Sequence, residues 1–359
     1  MESVNRCCEP SDARFHVAED LITTVVTLLL AARNAPDLIE DRIQVVFSEG
    51  FGMDQNHFTP LWDRMGAWAP RRLSLDPWGK GVCRESVMLL RADDSVQCDP
   101  FSRGRRILPL GLGRFEQVSL IIGQSDDSFK CASSITWAAS HYYRHLFGLP
   151  PLSLSAPSSS DPSIPQRRPI NILWLSRAKL DAYALKHDDW SKWRGVRHLV
   201  NEPEVLEGIR EGIRDFCGTG ACHYEDALEN PESWTDNAIL GANDSVPIRF
   251  TSIDPTVHAL ETQVHYVGHT SVLISLHGGA LGLSLFLPPG HATMIELQVK
   301  EVSGNFHFEH MAYEMGHVYE QVRITRRVDV DSVVRTIREQ LERLVGQEKI
   351  EAQEKIEGV

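Results

Sequence analysis

The sequence predicts an α/β protein built from two Rossmann-like, doubly wound domains, and three observations carry that prediction. Short apolar runs of strand length recur between amphipathic stretches of helix length, the alternation of a parallel sheet covered by helices. At 359 residues the chain is long enough for roughly two domains, each with its own core. A Pro/Ser-rich run, LPPLSLSAPSSSDPSIPQRRP, separates two strand-rich regions. The expected division is a first domain over residues 1–149, a linker over 150–169, a second domain over 170–330, and a C-terminal helix with a charged tail over 331–359.

Composition narrows the partners. The net charge of −13 makes the surface repel polyanions, which argues against nucleic acid. A phosphate seat must then be made locally, from backbone dipoles and one or two arginines. The longest predominantly apolar run, Leu21–Ala32, is about half of the ~20 residues that span a bilayer, so no transmembrane segment is expected. The opening MESVNRCCEPSDARF lacks the apolar stretch of a secretory signal. Seven cysteines without repeated CxxC spacing give no zinc pattern; Cys217 and Cys222, flanking Gly218 and Gly220, could close a small loop or remain buried thiols. Asn243-Asp244-Ser245 fits an N-glycosylation acceptor.

In the first half, Phe15–Ala32 reads as a buried helix opening with His16, Glu19 and Asp20. Acids there suit the helix dipole, and they could equally supply an acid/base group. Arg42–Gly52 holds a strand and turn, residues 56–110 read as irregular helices and loops, and Val118–Gly123 is a buried strand. Acid pairs occur at Asp93-Asp94, Asp126-Asp127 and Asp188-Asp189. Asp329-Val330-Asp331 has a D-x-D form that can hold a metal, but it opens a helix, where capping explains it. Ser133–Phe147 is helical; His141 and His145 lie one turn apart with no third ligand at metal spacing.

The second half opens with Ile170–Ser176, an apolar strand with Arg177 at its tip, either a phosphate ligand or a surface arginine before a loop. An amphipathic helix over Asn201–Cys217, a strand over Val246–Ser252 and a helix over Thr256–Tyr266 follow. The buried strand Val272–Leu276 breaks at His277-Gly278-Gly279, and Ala280–Leu287 reads as a helix ended by Pro288-Pro289-Gly290. A helix N-terminus at the carboxyl end of a parallel strand is where open α/β sheets bind phosphate, although a tight crossover turn has the same pattern. The strand Thr293–Leu297 ends near Glu296, placed for a sugar hydroxyl beside that phosphate. Ser332–Val345 is a helix docked by one face, and the tail, with QEKIE twice, reads as solvated.

VLISLHGGAL, LFLPPG and MIEL resemble the "VLIGVHGAGL", "LFLPPG" and "VIEL" segments of glycosyltransferase family 61, over nearly thirty residues. Ser176-Arg177 resembles the family's "FSR" or "ISR", and Asn305–Tyr319 its "HFRNLA…GHRY" element. His16 with Glu19-Asp20, and the EGF turn near Gly50, are similar to the opening of its N-terminal domain. Gly282-Leu283-Ser284 departs from the Asn or Thr often found there.

The resemblance implies the GT-B arrangement, two Rossmann-like domains facing across a cleft. It implies transfer of a sugar, N-acetylglucosamine first, from a UDP-sugar to a glycan or protein hydroxyl. Ser176, Arg177, His277, Gly278, Gly279 and Ala280 would take the diphosphate and Glu296 the ribose. Asp20, with His16 and Glu19 beside it, would supply the base. The reaction would invert configuration without a metal or other cofactor. The resemblance places such an enzyme in the endoplasmic reticulum or Golgi lumen and implies that a preceding strand and any anchor are missing or remodelled. A xylosyl- or arabinosyltransferase of the same family, and a UDP-binding module without turnover, are the alternatives.

Overall fold

A computed structural model describes residues 44–47, 60, 61, 64, 68–72, 87–90, 107–110, 132–149, 169–187, 197–226, 234, 245–302 and 306–357. The protein is mixed α/β with two sheets, both parallel throughout their described pairings. Strands β1 (Gln44–Phe47), β2 (Trp68–Arg72), β3 (Val87–Leu90) and β4 (Ile107–Leu110) form a four-stranded sheet in the order β2-β1-β3-β4. Three of these strands fall where the sequence reads as helices and loops, because four or five residues are too few to show a period against the surrounding Trp, Pro and Gly.

The second sheet has six strands: β5 (Ile170–Leu175), β6 (Cys222–Asp226), β7 (Val246–Ile253), β8 (Val272–Leu276), β9 (Thr293–Val299) and β10 (Val318–Ile324). Their order is β10-β9-β8-β5-β7-β6. From β5 the chain first builds one side, through β6 and β7, and then crosses to build the other, through β8, β9 and β10. The crossover leaves a topological switch point at the carboxyl ends of the adjacent strands β5 and β8, where a doubly wound sheet opens a crevice.

All six residues of β5, all five of β8 and all seven of β9 are buried, as expected of strands covered on both faces. Their side chains divide with the two-residue period of the strand. Leu173, Leu175, Leu273 and Met294 enter one core; Ile172, Trp174, Ile274 and Ile295 enter the other. Helix α3 (Glu202–Cys217), preceded by α2 (Ala178–His187), covers the second face with Val205, Ile209, Ile213 and Phe216, each contributing roughly 2 kcal/mol by burial. Pro203 and the acids Glu202 and Glu204 suit its first turn. Asn201 does not cap it; its side chain bonds instead to both Val328 N (2.9 Å) and Val328 O (3.0 Å).

Helix α1 (Ala132–Leu146) precedes the Pro/Ser-rich run yet packs on the first face of this sheet. Its buried Arg144 donates to Gly268 O at 2.9 Å and Phe286 O at 2.6 Å, closing the end of α4 (Leu260–Gly268) and of the helix after β8. Leu61, fully buried, joins the same core, and Arg64 donates to Leu146 O.

Several boundaries differ from the sequence reading. The segment after β8 is a 3₁₀ helix over Gly279–Phe286. The Thr256–Tyr266 element is helical only from Leu260, since Asp254 holds Thr256 in a turn through Thr256 N (2.9 Å) and Oγ1 (2.5 Å). The element at 305–319 splits into helix α5 (His307–Glu314) and the start of β10, separated by Gly316 at φ 69°. The last helix, α6, runs over Val330–Glu357 and takes in the QEKIE repeats, whose Glu, Lys and Gln are good helix formers. Cys217 and Cys222 form a disulfide, joining the end of α3 to the start of β6.

Candidate functional site

The crevice is built from two strand tips. Leu175 of β5 pairs with Ser275 of β8, so Ser176-Arg177 and His277-Gly278 leave the sheet side by side. Ser176 is held by its amide to Ile253 O (2.8 Å) and accepts from Ala178 N at 3.1 Å. At the next strand over, Asp254 accepts from Lys179 N at 2.8 Å, fastening the start of α2 to the tip of β7. Backbone amides bonded to one carbonyl and two side-chain oxygens thus tie the rim together and fix where Arg177 begins.

Gly278 explains why a glycine is needed. It adopts φ 157° and ψ 178°, and a Cβ there would stand 3.1 Å from Arg197 Nη1 and 3.3 Å from Arg177 Nη1. Two guanidinium groups therefore rest on a backbone position that carries no side chain. Just beyond it Leu281 N donates to Gly278 O, closing the first turn of the 3₁₀ helix. The amides of Gly279 and Ala280 open that turn, and opening amides have no acceptor within their own helix. Two planar cations and a helix N-terminus at one point have the chemistry to hold an anion with several oxygens.

Beneath Arg177 lie two buried acids, Asp181 and Glu202. Arg177 Nε stands 4.0 Å from Asp181 Oδ1, and the other oxygen of Asp181 meets His198 Nδ1 at 2.9 Å. Glu202 accepts from Trp174 Nε1 at 2.8 Å; burial raises its pKa, and bonds from Ser176 and Trp174 oppose the rise. Arg197 is itself 7% exposed, so most of its charge is out of water.

His277 and Glu296 form the floor. The His277 amide donates to Leu297 O at 2.9 Å, its Nδ1 faces Glu296 Oε1, and Phe308 of α5 packs edge-on at 5.3 Å between ring centroids. Tyr319 donates its hydroxyl to the other oxygen of Glu296 at 2.6 Å. β9 continues to Val299, so Glu296 lies inside the strand rather than at its tip, with no exposed surface and both oxygens engaged. Burial and the Glu296 charge push the Tyr319 phenol far above its usual range, so it stays a donor at any working pH.

Of the residues expected from sequence, Ser176, Arg177, His277, Gly278, Gly279 and Ala280 meet at these two strand tips. His16, Glu19 and Asp20 lie outside the described residues, as does the strand at Val118–Gly123. Arg197 was not anticipated: it sits in the basic stretch WRGVRHLV, before the Asn201-Glu202 start of α3, where no spacing links it to His277. Tyr319 was missed for the same reason. Among the described residues no group of three or more His, Cys, Asp or Glu stands where it could hold a metal ion. Nor is any helix among them long and apolar enough to cross a membrane.

A family model for glycosyltransferase 61 matches residues 15–295. That is well over half of the chain, and it takes in His16, Asp20, Arg177, Arg197 and the turn at Gly278. No curated protein matches the chain.

Proposed function

Because the chain belongs to glycosyltransferase family 61, and is a glycosyltransferase by that membership, we propose that the crevice at Gly278 is the seat of a UDP-sugar donor. The sugar is N-acetylglucosamine in this reading, and the acceptor a hydroxyl of a glycan or protein. The observation that carries it is the convergence of Arg177 and Arg197 on Gly278 at the opening of a 3₁₀ helix. A surface of net charge −13 has no general affinity for phosphates, so cations concentrated at one buried point favour a specific anion.

The chemistry follows from where charge develops. As the bond between the anomeric carbon and the diphosphate breaks, negative charge accumulates on the leaving oxygens, beside the Arg177 and Arg197 guanidinium groups and the Gly279 and Ala280 amides. These groups stabilise the departing UDP without a divalent metal. The acceptor hydroxyl attacks from the opposite face, inverting the anomeric carbon, and gives its proton to a base. Asp20 is that base, with His16 and Glu19 beside it, on a first domain facing the seat across a GT-B cleft. Such an enzyme works in the endoplasmic reticulum or Golgi lumen, and the Cys217–Cys222 disulfide supports an oxidising compartment.

The test is UDP release by purified full-length protein from a panel of UDP-sugars, with calorimetric UDP binding alongside. Wild type should bind UDP and hydrolyse one donor slowly. Arg177→Ala should lose binding, whereas Asp20→Asn should keep binding and lose transfer. Equal UDP affinity in wild type and Arg177→Ala overturns the seat.

A further inference from the structure

We propose that Tyr319 and Glu296 form a buried relay that positions His277 beside the anion seat, with Tyr319 as the remote positioning residue. The inference rests on the donor seat at Gly278.

The relay crosses three neighbouring strands. His277 follows β8, Glu296 is in β9 and Tyr319 is in β10. Glu296 pairs with Gln321, so Tyr319, two residues earlier, is on the same face and reaches forward along the parallel strands. An ionised carboxylate only accepts hydrogen bonds, so the Tyr319 hydroxyl and the His277 Nδ1–H must both donate to it. With Nδ1 turned to Glu296 and Phe308 against the ring, the imidazole has one orientation. Nε2, on the opposite edge of the ring, is then the nitrogen left for a ligand next to Gly278. A wholly buried carboxylate with one oxygen orphaned is costly, so removing the Tyr319 hydroxyl disturbs Glu296 first and His277 through it.

The experiment is a double-mutant cycle read by UDP calorimetry on the full-length protein. Tyr319→Phe should weaken UDP binding about tenfold in the wild-type background, as loss of one charge-assisted hydrogen bond would. In the His277→Ala background the same substitution should cost nothing further. A purely structural tyrosine would cost the same in both, and that result, or wild-type affinity in Tyr319→Phe, overturns the relay. A second readout needs no folded variant. In wild-type protein labelled with nitrogen-15 histidine, the His277 ring should show a proton on Nδ1 bonded to a carboxylate, and its absence also overturns the relay. Failure of Arg177→Ala to weaken UDP binding would instead remove the seat itself, so the two ideas fail separately.

Discussion

Arg197 lies against Gly278, its Nη1 3.1 Å from where a Cβ on that glycine would be. The contact joins a residue just ahead of α3 to the turn after β8, and it makes the glycine and the arginine one unit. A methyl group there must displace Arg197, Arg177 or the turn itself, and at φ 157° it also strains the backbone. Gly278→Ala should therefore lower UDP affinity about tenfold or more, measured by calorimetry. Its melting temperature should also fall by a few degrees, because the strain is carried by the folded state alone.

Arginine and lysine should not be interchangeable at this seat. A lysine keeps the charge of Arg197 but loses the planar fork with which a guanidinium can bond two phosphate oxygens at once. Arg197→Lys should bind UDP about tenfold more weakly and Arg197→Ala about a hundredfold more weakly. A titration in which lysine matches arginine would mean that the side chain acts only as a point charge.

His317 offers a pH dependence away from the site. It is buried, and neither ring nitrogen has a hydrogen-bond partner among the described residues. Burial, with the charges of His291 and Arg144, lowers its pKa from 6.5 to about 3. A histidine whose folded pKa is depressed binds its proton more readily when unfolded. Stability is then complete above pH 6.5 and falls as pH drops from 6.5 towards 3. His317→Gln should flatten that part of a melting-temperature profile; an unchanged acid limb would show that other groups set it.

The disulfide makes a prediction of its own. Cys217 and Cys222 enclose a short loop between α3 and β6, which limits the gain from restricting the unfolded chain. Replacing both by serine should cost about 2 kcal/mol of stability in denaturant unfolding. UDP affinity should not change, because Cys222 begins β6 and so lies at the amino ends of the strands, opposite the crevice.

Sequence alone identified the strands that are buried on both faces, because they need unbroken apolar runs; Ile170–Leu175 and Val272–Leu276 were legible for that reason. It also located the glycine turn and the arginine at the first strand tip, since a glycine pair and a strand end both mark the local sequence. The edge strands were not legible. β6 carries His223, Tyr224, Glu225 and Asp226, and β10 carries Tyr319, Glu320, Gln321 and Arg323, as strands paired on one side and partly exposed allow. Tertiary structure alone decided that Arg197 joins Arg177 over Gly278, and that Glu296 turns inward to His277 and Tyr319. Those contacts depend on strand order and register, which bring residues far apart in the chain to one point, and no local pattern encodes that meeting.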